Sequence, residues 1–381
     1  RHPRDGEGDH SRHGSVSDSQ GWFSEASYLR VVRGESRTIA AHLARVGLST
    51  AALGYRAAVA LRNARFNRDK QGALIQRAAV PVVSVGNLTL GGTGKTPMVE
   101  WIARWFRARG LRVVILSRGY GQDEGVNDEG RVLEENLPDV PHLQDKNRVE
   151  LARIAVEELE ADLLLLDDGF QHRQLARDLD IVLLDALDPF GQRRLFPRGL
   201  LREPLSALSR ADLVVLSRAD LVSESDRKAI REEATRRGAS ADRWVEARQA
   251  PFDLIEAGNE AEQASPIDSI RDLSVAAFCG IGNPEGFRKT VEPLVGRLLA
   301  LRPYPDHHAY SAEDVAELTR WARNLQADLV LTTQKDLVKL RASNLGAVPL
   351  RALRIVVEIT SGQPRLEEAL ERLISWEGLT P

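Results

Sequence analysis

The chain has a single cysteine among its 381 residues, Cys279. No intrachain disulfide can form, and a reducing setting is expected. Cys279 lies in the apolar stretch 274–282 and reads as a small core residue, without the cationic neighbours that activate a thiol. Long apolar runs are missing too: no segment offers the about 20 uninterrupted apolar residues that a spanning helix needs. Residues 1–20 are polar and charged, so no secretory signal is read there. Basic residues are not in excess. Lys and Arg number 52 against 55 Asp and Glu, for a net charge of −3. That balance argues against general nucleic-acid binding. The length allows two domains with real cores. The chain opens on Arg1 rather than Met, so further N-terminal residues are expected, and 1–21 reads as a disordered tail.

The most informative stretch is 81–96, PVVSVGNLTLGGTGKT. Val82, Val83 and Val85 mark a buried strand. A turn rich in glycine follows (Gly91, Gly92, Gly94), then Lys95-Thr96 and a helical segment from Pro97. This is the layout of a phosphate-binding loop, in which backbone N–H groups and a helix N-terminus surround phosphate oxygens. Lys95 would reach the outer phosphates and the Thr96 hydroxyl would hold Mg²⁺. The first glycine of the G-x-x-x-x-G-K-[ST] pattern is replaced by Thr89.

Short apolar strands alternate with helical segments through 113–116, 161–172, 178–191 and 211–220. The expectation is an α/β fold: a mostly parallel sheet with helices on both faces, of the phosphate-loop NTPase kind, plus a smaller C-terminal α/β domain. Ligands gather at the carboxyl ends of such strands, where Asn87, Ser117, Asp167, Asp168, Asp185 and Ser217 fall. Residues 122–147 read as loop-rich. The expected division is an amphipathic helical region at 22–80, the kinase core at 81–245, a linker at 246–270 and the smaller domain at 271–381.

Asp167 and Asp168 end a run of four leucines, the place of a metal-holding carboxylate in such a site. PDHHAY (305–310) sets an aspartate beside two histidines, suited to proton transfer or phosphate contact, with a surface loop or a zinc site as lesser options. The loop 193–204 carries Arg193, Arg194, Arg198 and Arg202 and suits a second anionic group. Ser217–Asp220, SRAD, is faintly like the guanine-reading signature of GTPases. It keeps open an alternative, a GTPase or metallochaperone-like switch acting on a protein partner. Upstream, Ile39, Leu43, Val46, Thr50, Leu53, Ala57, Leu61 and Ala64 recur at helical spacing, with Arg45, Arg56, Arg62 and Arg65 off that stripe. Two readings fit: a helix packed on its own domain, or a basic helix lying on a membrane surface.

SVGNLTLGGTGKTP, LSRGYG, DDGFQH, GLLREP, FCGIGNP, PDHHAY and TTQKD occur in that order. Together they resemble the tetraacyldisaccharide 4′-kinase family, over about residues 35–375. The resemblance implies transfer of the ATP γ-phosphate to the 4′-hydroxyl of a tetraacylated glucosamine disaccharide 1-phosphate, with Mg²⁺, in lipid A biosynthesis. It also implies a peripheral enzyme on the cytoplasmic face of the inner membrane, with no obligatory protein partner. Matched motif by motif, Gly91, Gly92, Thr93, Gly94, Lys95, Thr96 and Arg202 would bind ATP. Thr96, Asp167, Asp168 and Glu203 would hold the metal. Asn87, Gln171 and His172 would lie near nucleotide or acceptor. The family's Asp–His pair falls on Asp128, in VNDEG where the family has GDEP, and on His307 after Asp306. The smaller domain would close to bring His307 to Asp128, the base for the sugar hydroxyl.

Overall fold

The computed structural model describes residues 25–69, 73–119, 128–256, 264–306, 308–340 and 342–375. Two helices come first, α1 (Glu25–Arg33) and α2 (Ile39–Asn67). Six strands follow, β1 (Val82–Asn87), β2 (Val113–Ser117), β3 (His142–Gln144), β4 (Leu163–Asp167), β5 (Leu179–Asp185) and β6 (Leu213–Ser217). Between and after them run α3 (Lys95–Arg107), α4 (Asp128–Asn136), α5 (Arg148–Glu157) and α6 (Glu224–Arg236). The strands pair in parallel in the order β3-β2-β4-β1-β5-β6. Four of them are buried at every position because helices cover both faces, which is why they read as unbroken apolar runs.

The chain then enters β7 (Trp244–Ile255) and β8 (Ser265–Pro266), and continues through β9 (Ser274–Cys279), α7 (Pro284–Val291), β10 (Arg297–Pro303) and α8 (Ala312–Asn324). It ends with β11 (Leu329–Thr333), α9 (Gln334–Leu340), β12 (Asn344–Leu345), β13 (Val348–Ser361) and α10 (Gln363–Ile374). A second parallel set, β10-β9-β11-β13, joins the first through an antiparallel β13-β7 pair, so one sheet runs through both lobes.

Register explains why a site forms between the lobes. β6 pairs with the start of β7, from Val214↔Trp244 to Leu216↔Glu246. β11 pairs with the start of β13, up to Thr333↔Leu353. Because β7 and β13 are antiparallel, with Leu353↔Leu254 and Ser361↔Glu246, the two half-sheets attach at opposite ends of one two-stranded ribbon. Their carboxyl ends therefore face each other over the ribbon's middle, about 25 Å apart along it at strand rise. Helices α4 and α9 meet across that interval.

Three expectations from the sequence change here. Residues 246–255, expected as the start of a linker, are half of the ribbon; their mixed composition reflects a strand with one open face. The boundary at 271 does not hold to the end of the chain, because Leu366, Leu370 and Leu373 of α10 pack in the same core as Val83, Met98 and Ile102. The stretch 122–147 contains α4 and β3. α4 (DEGRVLEEN) has too few apolar residues to show a helical period, and it is held by partners far away in sequence.

Helix α2 is inverted relative to an ordinary surface helix. Its apolar stripe points outward, with Ile39 81% exposed and Leu61 73% exposed. Its inner face buries Ala41 and Val59 and carries polar contacts: Tyr55 donates to the Arg202 carbonyl at 2.9 Å, and Arg62 and Asn63 donate to Glu203. Two of the arginines expected at a headgroup layer face inward instead. Arg45 caps the end of α1 by donating to the Val31 and Ser36 carbonyls, and Arg62 pairs with Glu203. Arg56 and Arg65 stay exposed.

Candidate functional site

β1 ends in Asn87, and the loop 88–94 carries the chain into α3. Gly94 is the N-cap at φ +86°, and no side chain caps the helix, so its first N–H groups are left for an anion. That left-handed conformation favours glycine, and a Cβ there would also displace the Gln249 amide on the ribbon, 2.8 Å away. Asn87 Nδ2 donates to Thr93 Oγ1 at 3.1 Å, and Ser217 Oγ donates to the Thr93 carbonyl at 2.7 Å. Arg218 Nη2 donates to the Gly92 carbonyl at 3.0 Å. The ends of β1 and β6 thus brace the loop. Lys95 and Thr96 occupy the first turn of α3, half-buried.

Asp167 and Asp168 sit at the end of β4 beside this loop, and their environments differ. Lys95 Nζ is 3.6 Å from Asp168 Oδ1. Arg202 Nη1 donates to both Asp168 oxygens, at 2.9 and 2.7 Å, and Arg148 Nη1 donates to the Asp168 carbonyl at 3.1 Å. Burial pushes the Asp168 carboxyl up, but Lys95, Arg202 and Arg148 together outweigh it and hold it down at about 2. Asp167 is pushed up to about 7, first by burial and then by the nearby Glu129 and Asp168, against Lys95 and Arg148. Neighbouring carboxylates with divergent environments mark a site that handles charge. The following Gly169 lets the turn lie against β1, where a Cβ would meet Ser84 Oγ at 2.5 Å.

Gln171 and His172 complete this end. Gln171 Nε2 donates to the Asn87 carbonyl at 2.9 Å. His172 is pushed down to about 4 by burial and by Arg148 and Arg177, so it is neutral at pH 7. Asn87 Oδ1, Asp167 Oδ1, Gln171 Oε1 and His172 Nε2 are all buried without a partner. Orphaned polar atoms are rare in native interiors, and their gathering around a phosphate loop points to a polar ligand. The donor set fits Mg²⁺: hard oxygens of Asp167, Asp168 and Thr96, with phosphates and water to complete the shell. No cluster of three or more acidic, His or Cys side chains that could hold a metal exists among the described residues.

Glu203 does not join them as a metal ligand. It is fully buried, and it accepts from Arg62 Nη2 at 2.8 Å and Asn63 Nδ2 at 3.0 Å, with Arg210 Nη2 also 3.0 Å away. Two guanidinium groups would oppose a cation there. Its role is to fasten α2 to the core. We expect Glu203→Gln to cost about 2–3 kcal/mol in urea unfolding, less than the about 3–5 of a fully enclosed pair because Arg62 keeps access to water. A loss under about 1 kcal/mol would show that the clamp is not needed.

Asp128 begins α4 on the other side of the cleft. Lys339 Nζ of α9 lies 3.0 Å from Asp128 Oδ2, and Lys335 Nζ lies 2.8 Å from Glu129 Oε1. Asn136 and Gln334 exchange hydrogen bonds at 3.2 and 2.8 Å, and Asn136 also donates to Glu100 of α3 at 2.9 Å. α4 is therefore fastened both to the helix of the phosphate loop and to the second lobe. His307 lies outside the described residues. His308 Nε2 is 3.2 Å from Asp314 Oδ2 and its ring stacks on Tyr304, a structural use at the start of α8. Arg148, Glu129, Lys335 and Lys339 were not singled out from sequence. The two lysines stand in or just after TTQKD, but nothing local shows that α9 faces α4.

Fold and site together define a phosphate-loop phosphotransferase. Comparison with known proteins supplies the particular kind. The model of the family "LpxK: Tetraacyldisaccharide-1-P 4′-kinase" matches residues 44–375. A tetraacyldisaccharide 4′-kinase of Anaeromyxobacter sp. (strain K) is 41% identical over 352 residues, covering 87% of this chain and 92% of the relative. One from Halothermothrix orenii is 34% identical, covering 83% and 88%. The crystal structure of LpxK from Aquifex aeolicus in complex with ATP superposes with a TM-score of 0.67 at 29% identity, covering 86% of this chain and 99% of that one. The chain belongs to the tetraacyldisaccharide-1-P 4′-kinase family. The GTPase alternative drawn from residues 217–220 is set aside.

Proposed function

We infer that this protein transfers the γ-phosphate of ATP to the 4′-hydroxyl of tetraacyldisaccharide 1-phosphate, the lipid A precursor, with Mg²⁺. One observation carries the reading: the chain joins a braced phosphate loop to a helix whose apolar stripe faces outward. A soluble acceptor would not call for that stripe. Beside α2 lies a cleft of about 370 Å³ lined by Leu61, Arg62, Arg65, Phe66, Leu74 and Gln174. Its apolar floor and basic rim suit acyl chains below a phosphorylated sugar. Among the described residues no helix is long and apolar enough to cross a membrane. A helix that lies in the headgroup layer, with Arg56 and Arg65 toward anionic lipid, fits a peripheral enzyme of the inner membrane's cytoplasmic face.

Lys95 and the N–H groups of α3 hold the phosphate chain, and Arg202 keeps Asp168 ionised beside it. Asp167, Asp168 and Thr96 would hold the Mg²⁺, which neutralises charge on the phosphates. Asp128 takes the proton of the 4′-hydroxyl while its oxygen bonds to the γ-phosphorus and the bond from that phosphorus to ADP breaks. Asn87, Gln171 and His172 keep unpaired polar atoms for nucleotide or acceptor. His307 would orient Asp128 in the closed form, as the family resemblance implies. The test is transfer of labelled phosphate from ATP to tetraacyldisaccharide 1-phosphate in detergent micelles. We expect one labelled group per acceptor and none on an acceptor already phosphorylated at the 4′ position. ATP binding without transfer would overturn the reading.

A further inference from the structure

Lys339 stands between two carboxylates. On one side is Asp128 Oδ2, at 3.0 Å. On the other is Asp336 Oδ1, at 3.8 Å. Asp336 is fully buried, and three donors fix it: Gly280 N at 2.9 Å and Thr333 Oγ1 at 2.6 Å to Oδ2, and Tyr310 OH at 3.1 Å to Oδ1. Those donors come from FCGIGNP, PDHHAY and TTQKD, three separate segments of the second lobe. A rigid anion thus sets the ammonium, and the ammonium sets Asp128. Lys339 is itself 8% exposed at the side chain, so the pair is screened little by water.

We propose that Lys339 is a positioning residue for the phosphoryl transfer, by which the second lobe holds the Asp128 carboxylate correctly aimed at the acceptor hydroxyl. The proposal rests on Asp128 being the base. Lys339 need touch neither ATP nor acceptor, since it acts through Asp128. A bland salt bridge that merely ties α4 to α9 would leave two things unexplained. The tie is already supplied by Lys335–Glu129 and Gln334–Asn136, and Asp336 has all its donors without Lys339.

The test compares Lys339→Met, Lys339→Gln and Lys339→Arg in micellar phosphate transfer. We expect Lys339→Met and Lys339→Gln to lower kcat about 10–100-fold with KM for ATP within twofold of wild type. Lys339→Arg should restore most of kcat. The other charged groups facing this place, Glu129, Lys335, Asp306 and Asp336, are unchanged in all three variants. In an Asp128→Asn background, adding Lys339→Met should change kcat less than twofold. Unchanged kcat, or a fall that Lys339→Arg does not restore, or an equal fall in the Asp128→Asn background, overturns the positioning role. If Asp128→Asn alone keeps wild-type kcat, the base assignment fails instead, and the role of Lys339 fails with it. Gln keeps a polar, uncharged end at this buried place, so it keeps the comparison open if the Met variant does not fold.

Discussion

Lys95→Met should lower kcat for phosphate transfer about 10²–10³-fold at saturating ATP, the cost of removing one preorganised charge from a transition state. Lys95 is the only lysine in the phosphate loop, and it faces Asp168 at 3.6 Å. Its apolar stem can remain in place in the Met variant, so the loop, braced by Asn87, Ser217 and Arg218, should keep its shape. Arg202 and Arg148 still hold Asp168, so the metal side should stay assembled. The loss should therefore fall mainly on kcat. Single-turnover transfer with labelled ATP measures it directly. A loss below tenfold would mean that helix N–H groups and metal carry the charge without the lysine.

Asp128→Asn should cost about 10²–10⁴-fold in kcat, the usual contribution of a positioned general base. The amide has the shape of the carboxylate, and Lys335–Glu129 and Gln334–Asn136 remain, so α4 should stay docked on α9. What it loses is the ability to take a proton. KM for ATP should hold within about twofold, because Asp128 pairs with Lys339 of α9 rather than with a residue of the phosphate loop. Steady-state kinetics in both substrates separates these effects. A rate within tenfold of wild type would move the base to another group.

Much of the first lobe was legible in the sequence because its signals are local. The loop at 88–96 announces itself by glycine spacing and the Lys-Thr pair. Asp167 and Asp168 follow four leucines whose burial at every position a parallel sheet requires. The outward stripe of α2 is visible as helical periodicity. Its orientation is not: period alone says that one face is apolar, not whether that face turns to the core. The polar side decided it, through Tyr55, Arg62 and Asn63 bonding to the loop at Arg202 and Glu203. The same contacts took Glu203 away from the metal, because a carboxylate beside an Arg in sequence can find other guanidiniums in space.

By itself the sequence determined the parallel α/β core, the phosphate loop, the acidic pair and the family, because each is signalled by short motifs or runs that are legible one at a time along the chain. Only the tertiary structure decided that residues 246–255 are half of a shared ribbon, that α10 returns to the first lobe, and that Lys339 meets Asp128 across more than two hundred residues. These outcomes depend on strand register and on which helix faces meet. Both are set by the packing of the whole chain, so no short window of sequence contains them.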